Sequence, residues 1–436
     1  MLVNPNPLPL AQEWFSDEEP ISAILIEESN RQDAFGGSSW YGGGWIRLAA
    51  NGPFGPHDDG AGKPANCDGS GMECANAATP FLTNDGKLYL VWTAGGMVWM
   101  AKSDDLGKTF STPIKIAEHG KTLDTGGDAR PQILVQGDRI FITYAFFKDA
   151  RWNAQINKAY SDDGGKTFST PISIVNDTSS QRFPVMLLQP NGKLFLSWID
   201  KRIVASSKNT ANEMLGGSIA YAFSDDGGVH FSQEKIANKD SCECCRIGVS
   251  LDPKGGLAFT YRAIFPSGIR DHASQYISNT EKLGPIRRVS NDNWKTDVCP
   301  HQGPSISISS AGTFHVAWFT SSAKRQGVFY ANSHNEGATY SDPVRVGKDD
   351  ANASRPYLLA AGSNVWLVWK EFDGHKTTVF MKNSLDDGKT WSEPSILAET
   401  SGYSDHPLLI HRDKQVFLSW LTREEGYRLI KAGNAK

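Results

Sequence analysis

The sequence predicts an all-β protein that folds as a seven-bladed β-propeller. Its 436 residues include 42 Gly, 13 Trp and 21 Phe, a composition that favours short aromatic-rich strands joined by glycine turns. Two sequence patterns also repeat along the chain at the spacing of propeller blades, and such repeats are the strongest indication of this architecture. A ring of six blades with an additional side sheet is the alternative.

The first pattern is a strand that follows a turn of Gly, Asn or Asp and ends in an aromatic residue. Its aromatic ends are spaced by 51 to 63 residues, which is enough chain for one four-stranded blade. The copies are Leu88–Trp92, Ile140–Tyr144, Leu194–Trp198, Leu257–Tyr261, Phe314–Trp318, Val365–Trp369 and Val416–Trp420. Seven copies predict seven blades.

The second pattern is the turn sequence S-x-D-x-G-x-T followed by an aromatic residue. Its full copies are Ser103–Phe110, Ser161–Phe168 and Ser384–Trp391, and its weaker copies are Ser224–Phe231 and Ser333–Tyr340. The aspartate can accept backbone N–H bonds and the glycine can supply a positive φ, so the pattern predicts a hairpin turn. It resembles the Asp box of the sialidase superfamily. This resemblance implies a propeller, but it says little about function because these turns lie on the rim.

The two ends of the chain are expected to close the ring. The seventh blade begins near His406 and has room for only three strands, so Ile21–Ile26 is the candidate for its outer strand. Such pairing removes an exposed sheet edge. We therefore predict one domain over residues 1–436, with a closing strand and loops in 1–74 and the blades in 75–436.

Charge and hydropathy exclude several classes of partner. A net charge of −4 gives no overall attraction to nucleic acid, and the absence of an apolar run of 18 residues excludes a membrane-spanning helix. Met1–Trp14 lacks the charged and apolar regions of an intact signal peptide. We expect a periplasmic or secreted protein whose signal has been removed, with a cytoplasmic protein as the alternative; the sequence does not indicate the oligomeric state.

The first strand of each blade lines the central channel, so the residues that open these strands should gather at one mouth. Six of the openings carry a cationic or potentially cationic side chain, namely Arg130, Arg182, Arg246, His301, Arg355 and His406. Arginine binds carboxylates, sulfates and phosphates in a bidentate manner, which predicts a site for an anionic carbohydrate. In the alternative, the arginines pair with aspartates such as Asp128 and Asp405 and lock adjacent blades together.

A second resemblance to sialidases concerns catalysis. The segment Gly402-Tyr403-Ser404-Asp405 resembles their tyrosine motif, which implies Tyr403 as a nucleophile and inner-strand arginines that hold a sugar carboxylate. A phenol can attack an anomeric carbon next to an anionic group, where a carboxylate would be repelled. Asp271 is a candidate acid–base group beside the cationic mouth; alternatively, it forms an ion pair with Arg270.

These features predict a sialidase-like, carbohydrate-active protein that binds an anionic glycan and could act as a glycoside hydrolase. One alternative is a uronate polysaccharide lyase, in which arginine neutralises the carboxylate while His301 or His406 and a tyrosine act as base and acid. Another is a binding propeller without enzymatic activity. The sequence does not decide whether the protein is an enzyme.

The cysteines suggest a further alternative, a metalloprotein. Cys242, Cys244 and Cys245 open the fourth blade, and Cys299 and His301 open the fifth. Because neighbouring inner strands lie side by side, these groups could hold zinc or copper, although glycosidase chemistry itself requires no cofactor. Other interpretations are disulfides, with Cys299 joined to one of Cys242 to Cys245, another pair closing locally and Cys67 joined to Cys74, or free redox-active thiols. The C-x-C-C and Cys-Pro segments also resemble those of a bacterial sialidase-like group of Asp-box propellers.

Overall fold

The computed structural model describes residues 71–206, 216–296, 301–348 and 352–434. Within these ranges the chain forms 27 β-strands, numbered β1 to β27, and one short α-helix, α1 (Arg202–Ser206). Short 3-10 turns lie at Met72–Cys74, Gly120–Thr122 and Pro266–Gly268. In this part of the chain, no helix is long and apolar enough to cross a membrane.

The strands form seven antiparallel sheets, each made of strands consecutive in the sequence. Blade 1 contains β1 (Ala78–Leu82), β2 (Leu88–Ala94), β3 (Met97–Ser103) and β4 (Ile114–Glu118). Blade 2 contains β5 (Gln132–Gln136), β6 (Arg139–Phe147), β7 (Ala154–Ser161) and β8 (Ile172–Ser173). Blade 3 contains β9 (Gln181–Leu188), β10 (Leu194–Asp200), β11 (Gly217–Ser224) and β12 (Lys235–Ser241).

The remaining four blades repeat this order. Blade 4 contains β13 (Gly248–Leu251), β14 (Leu257–Arg262), β15 (His272–Ile277) and β16 (Arg287–Arg288). Blade 5 contains β17 (Ser305–Ile308), β18 (Phe314–Ser321), β19 (Gln326–Ser333) and β20 (Val344–Val346). Blade 6 contains β21 (Ser354–Ala361), β22 (Asn364–Phe372), β23 (Thr377–Ser384) and β24 (Ser395–Thr400). Blade 7 contains β25 (Leu408–Arg412), β26 (Gln415–Thr422) and β27 (Gly426–Asn434).

The first strands of the seven blades form a closed ring around the channel. Each of them contacts the first strand of the next blade, and β25 returns to contact β1. The prediction of a seven-bladed propeller is therefore confirmed, and the six-bladed alternative is wrong. Blade 7 has three strands within the described residues, whereas Ile21–Ile26, the predicted closing strand, lies outside them.

The aromatic residues of the first sequence pattern all lie on second strands and form the core between blades. Each of the seven is at most 1% exposed, because the second strand is covered by the sheets on both sides. Buried indole N–H groups have acceptors: Trp198 donates to Asp200 at 2.9 Å and Trp369 donates to Glu371 at 2.8 Å. The pattern thus marks buried residues, and the indole N–H groups of these two tryptophans donate to carboxylates nearby.

The S-x-D-x-G-x-T turns connect third and fourth strands. In blade 6, Ser384 donates to Asp386 at 2.8 Å and accepts the N–H of Gly388 at 2.8 Å, while Asp386 accepts both the N–H and the hydroxyl of Thr390. The φ of Gly388 is +80°, a conformation that glycine adopts without strain. In blade 5, Asn335 replaces the aspartate and makes corresponding bonds.

A group of buried hydrogen bonds joins the two ends of the ring. Asp405, which precedes β25, accepts the Arg130 guanidinium at 2.6 Å and the backbone N–H of Ala78 at 3.0 Å. These partners precede or begin the first strands of blades 2 and 1. One carboxylate from blade 7 therefore connects three blades where the ring closes.

The turn aspartates should make stability depend on pH in acid. Hydrogen bonds from Thr390 and Ser384 lower the pKa of Asp386 from 3.8 to about 2. A carboxyl group whose folded-state pKa is depressed stabilises the fold above its unfolded pKa, and this contribution is lost as pH falls from about 4 to about 2. We expect Asp386→Asn to lower Tm by about 1 °C at pH 7 and to have a much smaller effect near pH 2, where the carboxyl is half protonated, as measured by thermal unfolding followed by circular dichroism.

Asn335→Asp provides the matched control. It introduces the carboxylate where blade 5 has an amide, so this variant should become more sensitive to acid than the wild type. An equal Tm difference at pH 7 and pH 2 for Asp386→Asn would contradict the argument.

Asp405→Ala should be strongly destabilising. It leaves the buried guanidinium of Arg130 without its counter-charge, and breaking a buried ion pair in this way costs about 3–5 kcal/mol. Urea unfolding should therefore show a much lower midpoint. In the control, Asp162→Ala removes an exposed partner of Arg139 and should cost less than about 1 kcal/mol; similar losses in both variants would refute a special role for Asp405.

Candidate functional site

The structure places Asp128 across the mouth of the channel. Its carboxylate accepts Arg246 at 3.2 Å and Arg355 at 2.9 Å. Asp128 precedes the first strand of blade 2, whereas Arg246 opens blade 4 and Arg355 begins blade 6. These blades are not neighbours in the ring, so the three side chains meet only across the channel axis. The predicted pairing with Asp128 is present, but it joins opposite blades instead of adjacent ones.

A tyrosine joins this group. Tyr357 lies on β21, two residues after Arg355, and is partly exposed. Burial raises the pKa of its phenol, while the charges of Arg130 and Arg246 oppose that rise. The hydroxyl is therefore protonated at neutral pH and lies within the electrostatic reach of two guanidinium groups.

His406 is a neutral imidazole at the same mouth. Its side chain is buried, and neither ring nitrogen has a hydrogen-bond partner among the residues that the structure describes. Burial lowers its pKa well below 6.5, and the positive charges of Arg355, Arg246 and Arg130 lower it further. The ring lies against Gly127, where a Cβ would come within 2.5 Å of Nε2, so this contact requires glycine. Other histidines in the described ranges, such as His272, also have a buried Nε2 atom without a hydrogen-bond partner there, but His406 is the one for which this holds at both ring nitrogens.

Positive charge exceeds negative charge in this group. The side chains whose charges act on His406 include Arg130, Arg246, Arg355 and Lys370, whereas the carboxylates that pair with the arginines are Asp128 and Asp405. Four cations thus face two anions. Arg246 has the most exposed side chain of the three arginines, at 17%, so it is the group best placed to meet an anionic ligand.

The other two predicted cationic residues have different surroundings. Arg182 forms a bidentate pair with the buried Asp124, with one N–O distance of 2.7 Å, and its guanidinium stacks on Phe147 and Phe183. His301 contributes its backbone carbonyl, which accepts a hydrogen bond from Arg355. The structure therefore brings Arg130, Arg246, Arg355 and His406 together, while Arg182 is held by its own carboxylate.

The two residues predicted to be catalytic make structural contacts. The Tyr403 hydroxyl donates to the backbone carbonyl of Asn76 at 2.8 Å. Asp271 pairs with Arg288 and accepts the backbone N–H groups of Asn293 and Trp294. The predicted partner of Asp271, Arg270, donates instead to the sulfur of Cys242 at 3.5 Å. A catalytic role for Tyr403 or Asp271 stays a prediction.

Three predicted metal ligands form a compact, buried sulfur cluster. The Sγ atom of Cys244 lies 3.4 Å from that of Cys242 and 3.9 Å from that of Cys245, and the third separation is 3.9 Å. Cys242 and Cys245 are free thiols, whereas Cys244 is disulfide-bonded, as is Cys74. The other two cysteines, Cys67 and Cys299, lie outside the described residues. Among those described, His301 does not belong to the group of ligand atoms within 4.8 Å of one another.

Arg262 lies beside this cluster, as its place in the sequence of the same blade indicated. It is 1% exposed, none of its three guanidinium nitrogens has a hydrogen-bond partner within the described ranges, and it packs 4.0 Å from the ring centroid of Trp294. The pKa of Cys242 is lowered, first by the hydrogen bond from Cys245 and then by the charge of Arg262. Arg262 comes directly after the aromatic end of β14, a position where most blades carry an uncharged residue.

Comparisons with known proteins identify similar folds. No family model and no curated protein matches the chain. An ulvan lyase of polysaccharide lyase family PL25 superimposes with a TM-score of 0.54 at 12% identity, covering 86% of this chain and 94% of that one. The complex titled as this lyase bound to -[GlcA(1-4)Rha3S]- gives a TM-score of 0.53 at 12% identity, with the same coverage. An α-L-arabinofuranosidase of Fusarium graminearum gives 0.43 at 16% identity, covering 68% of this chain and 88% of that one.

Of the structures named, only the two of the ulvan lyase have a TM-score above 0.5. At these identities the likeness to the lyase establishes a shared fold. The specific resemblance to sialidases stays a prediction.

Proposed function

We propose that this protein is a polysaccharide lyase that cleaves uronate-containing glycans by β-elimination at the Arg-rich mouth. The observation that carries the proposal is His406, a neutral buried imidazole without hydrogen-bond partners, placed among cations that outnumber the carboxylates. This combination suits removal of a proton next to a carboxylate. We therefore favour a lyase over a hydrolase as the enzyme that acts on an anionic glycan at this mouth.

The proposed chemistry assigns one task to each group. Arg246 binds the uronate carboxylate and neutralises its charge, which makes the adjacent C5–H bond more acidic. His406 takes the proton from C5 of the sugar. The two electrons of the broken C5–H bond form the C4=C5 double bond. The C4–O4 bond then breaks, and Tyr357 gives its proton to the departing oxygen. No water is consumed, and the products are a new chain end and an unsaturated uronate.

The protonation states agree with these tasks. A base must be unprotonated before reaction, and the depressed pKa of His406 keeps it neutral. An acid must be protonated, and burial raises the pKa of Tyr357. Since His406 is only 3% exposed, the sugar must displace neighbouring groups as it enters the mouth.

The comparisons support the substrate class at the level of the fold. The similar ulvan lyase carries an oligosaccharide that contains glucuronate, and an acidic sugar matches the surplus of positive charge found here. The hydrolase alternative depends on Tyr403 and Asp271, whose polar groups are occupied by Asn76 and by Arg288.

The reaction type can be read directly from absorbance. We expect incubation with uronate polysaccharides, including ulvan, to produce ultraviolet absorbance from the unsaturated sugar in step with new reducing ends. His406→Asn and Tyr357→Phe should each lower kcat by about 100-fold or more, and Arg246→Ala should mainly raise KM. The measurement is steady-state kinetics at 25 °C on each variant.

Matched controls lie elsewhere on the same blades or on the rim. His411→Asn changes an exposed histidine of β25, and Tyr160→Phe changes a rim tyrosine beside Arg139; both should keep wild-type kinetics. Reducing ends without ultraviolet absorbance would identify a hydrolase and refute the elimination. If neither reaction occurs and glycan binding is the same in Arg246→Ala, the anionic-glycan site is refuted as well.

The pH profile supplies an independent test of the base. A histidine with an ordinary pKa would lose half of its neutral form at about pH 6.5. The pKa of His406 lies well below that value, so activity should persist as pH falls from 7 to about 5.5. A loss of kcat/KM centred near pH 6.5 would show that the base is a different histidine, one with an ordinary pKa.

A further inference from the structure

We propose that Cys242, Cys244 and Cys245 form a binding site for a soft monovalent metal ion, copper(I), when the disulfide of Cys244 is reduced. The site is separate from the proposed elimination reaction and uses none of its residues. Its evidence is the geometry of the sulfur cluster and the two arginines that face it.

The spacing of the sulfur atoms suits a trigonal thiolate site. With separations of 3.4, 3.9 and 3.9 Å, an ion at the centre of the triangle would lie about 2.2 Å from each sulfur, close to a metal–thiolate bond of about 2.3 Å. All three residues are buried. Thiolate ligands select copper(I) over harder ions.

Two arginines lie beside the cluster, and their positive charges require negative charge nearby. Arg262 is a buried guanidinium without a hydrogen-bond partner in the part of the chain that the structure describes, and Arg270 donates to Cys242 at 3.5 Å. A buried cation without compensation is costly. Three thiolates around one monovalent ion carry a charge of about −2, which two guanidinium groups balance, whereas a divalent ion leaves about −1.

Two of the three sulfurs belong to free thiols. The sulfur of Cys245 donates toward that of Cys242 at 3.9 Å, and both cysteines are free. Because thiolates are the form that binds metals, these thiols must lose their protons as the metal binds.

Reduction supplies the third ligand. Cys244 is disulfide-bonded in this structure, which leaves two free thiols in the cluster. An external dithiol opens that disulfide by transferring two electrons and two protons, and becomes a cyclic disulfide itself. Copper(I) then displaces the remaining thiol protons and forms three copper–sulfur bonds. The oxidised protein should therefore bind the ion much more weakly.

The test is a titration of the full chain with copper(I) under anaerobic conditions. The protein is compared before and after reduction by a dithiol that is then removed, with bicinchoninate as the competing chelator. We expect the reduced protein to take one copper(I) per chain with thiolate-to-copper charge-transfer absorbance, and the oxidised protein to bind at least 10-fold more weakly. Equal binding in both states, or none beyond that of the chelator, would overturn the proposal.

Variants assign the ligands. Cys242→Ser and Cys245→Ser should each lower the affinity of the reduced protein by at least 100-fold, whereas Cys74→Ser, a control at a cysteine outside the cluster, should keep one tight site. Arg262→Met should weaken binding about 10-fold and Arg262→Lys should weaken it less, because lysine keeps the charge. Tight binding that survives Cys242→Ser would refute the assignment.

The wild-type protein gives a test that does not depend on the folding of variants. X-ray absorption at the copper edge of the loaded chain should show three sulfur neighbours at about 2.2 Å. Nitrogen or oxygen neighbours would place the ion elsewhere and contradict the site. Zinc(II) added to the same reduced protein should bind less tightly than copper(I); tighter zinc binding would contradict the charge argument.

Discussion

The mouth of this propeller depends on the carboxylate of Asp128. The ring of inner strands fixes each blade against its two neighbours, but it does not connect blades 2, 4 and 6 with one another. Asp128 does so by accepting Arg246 from blade 4 and Arg355 from blade 6. Two guanidinium groups would otherwise repel each other in a buried place, and one shared carboxylate holds them at a defined separation.

The sequence left two alternatives for the arginines, ion pairs with aspartates and binding of an anionic ligand. In the structure these two roles are compatible. Asp128 and Asp405 each neutralise part of the arginine charge, and their side chains are only 6% and 2% exposed. The remaining positive charge includes Lys370, whose ammonium group donates to Ser404. The aspartates therefore hold the cationic side chains in place and leave a net positive charge. A site that binds an anion needs both features.

The sequence predicted the fold well because propeller repeats have strong periodic constraints. The aromatic residue at the end of each second strand must fill the gap between sheets, and the glycine of each rim turn must take a positive φ, so both recur in sequence. The strand openings also identified Arg130, Arg246, Arg355 and His406 correctly as neighbours. The sequence could not show that Arg182 forms an ion pair with Asp124, because Asp124 lies in the connection between blades 1 and 2. That connection has no repeated pattern.

Tyr357 was missed for a local physical reason. Residues two apart on a regular strand share a face, which would associate Tyr357 with Arg355, but the register of β21 against β22 shifts between Ser354 and Tyr357. Arg355 itself has a φ of +53°, a conformation uncommon for a residue with a side chain. Such irregularities gather where side chains are aimed at a site, and they break the alternation from which orientation is inferred.

A comparison between blades separates the two charged centres of the molecule. The position after each aromatic end is buried in every blade, and it is charged only at Arg262 and Lys370. Lys370 has oxygen acceptors from Ser404 and Asp405, so its charge is satisfied within the mouth. Arg262 faces sulfur and the ring of Trp294 instead. The cations of the mouth are thus paired with aspartates, whereas the cysteines face arginines. The two centres still lie within electrostatic reach of each other, because the charge of Asp128 also acts on Cys245. A change in the charge of the sulfur cluster would therefore be felt at the carboxylate that positions Arg246 and Arg355.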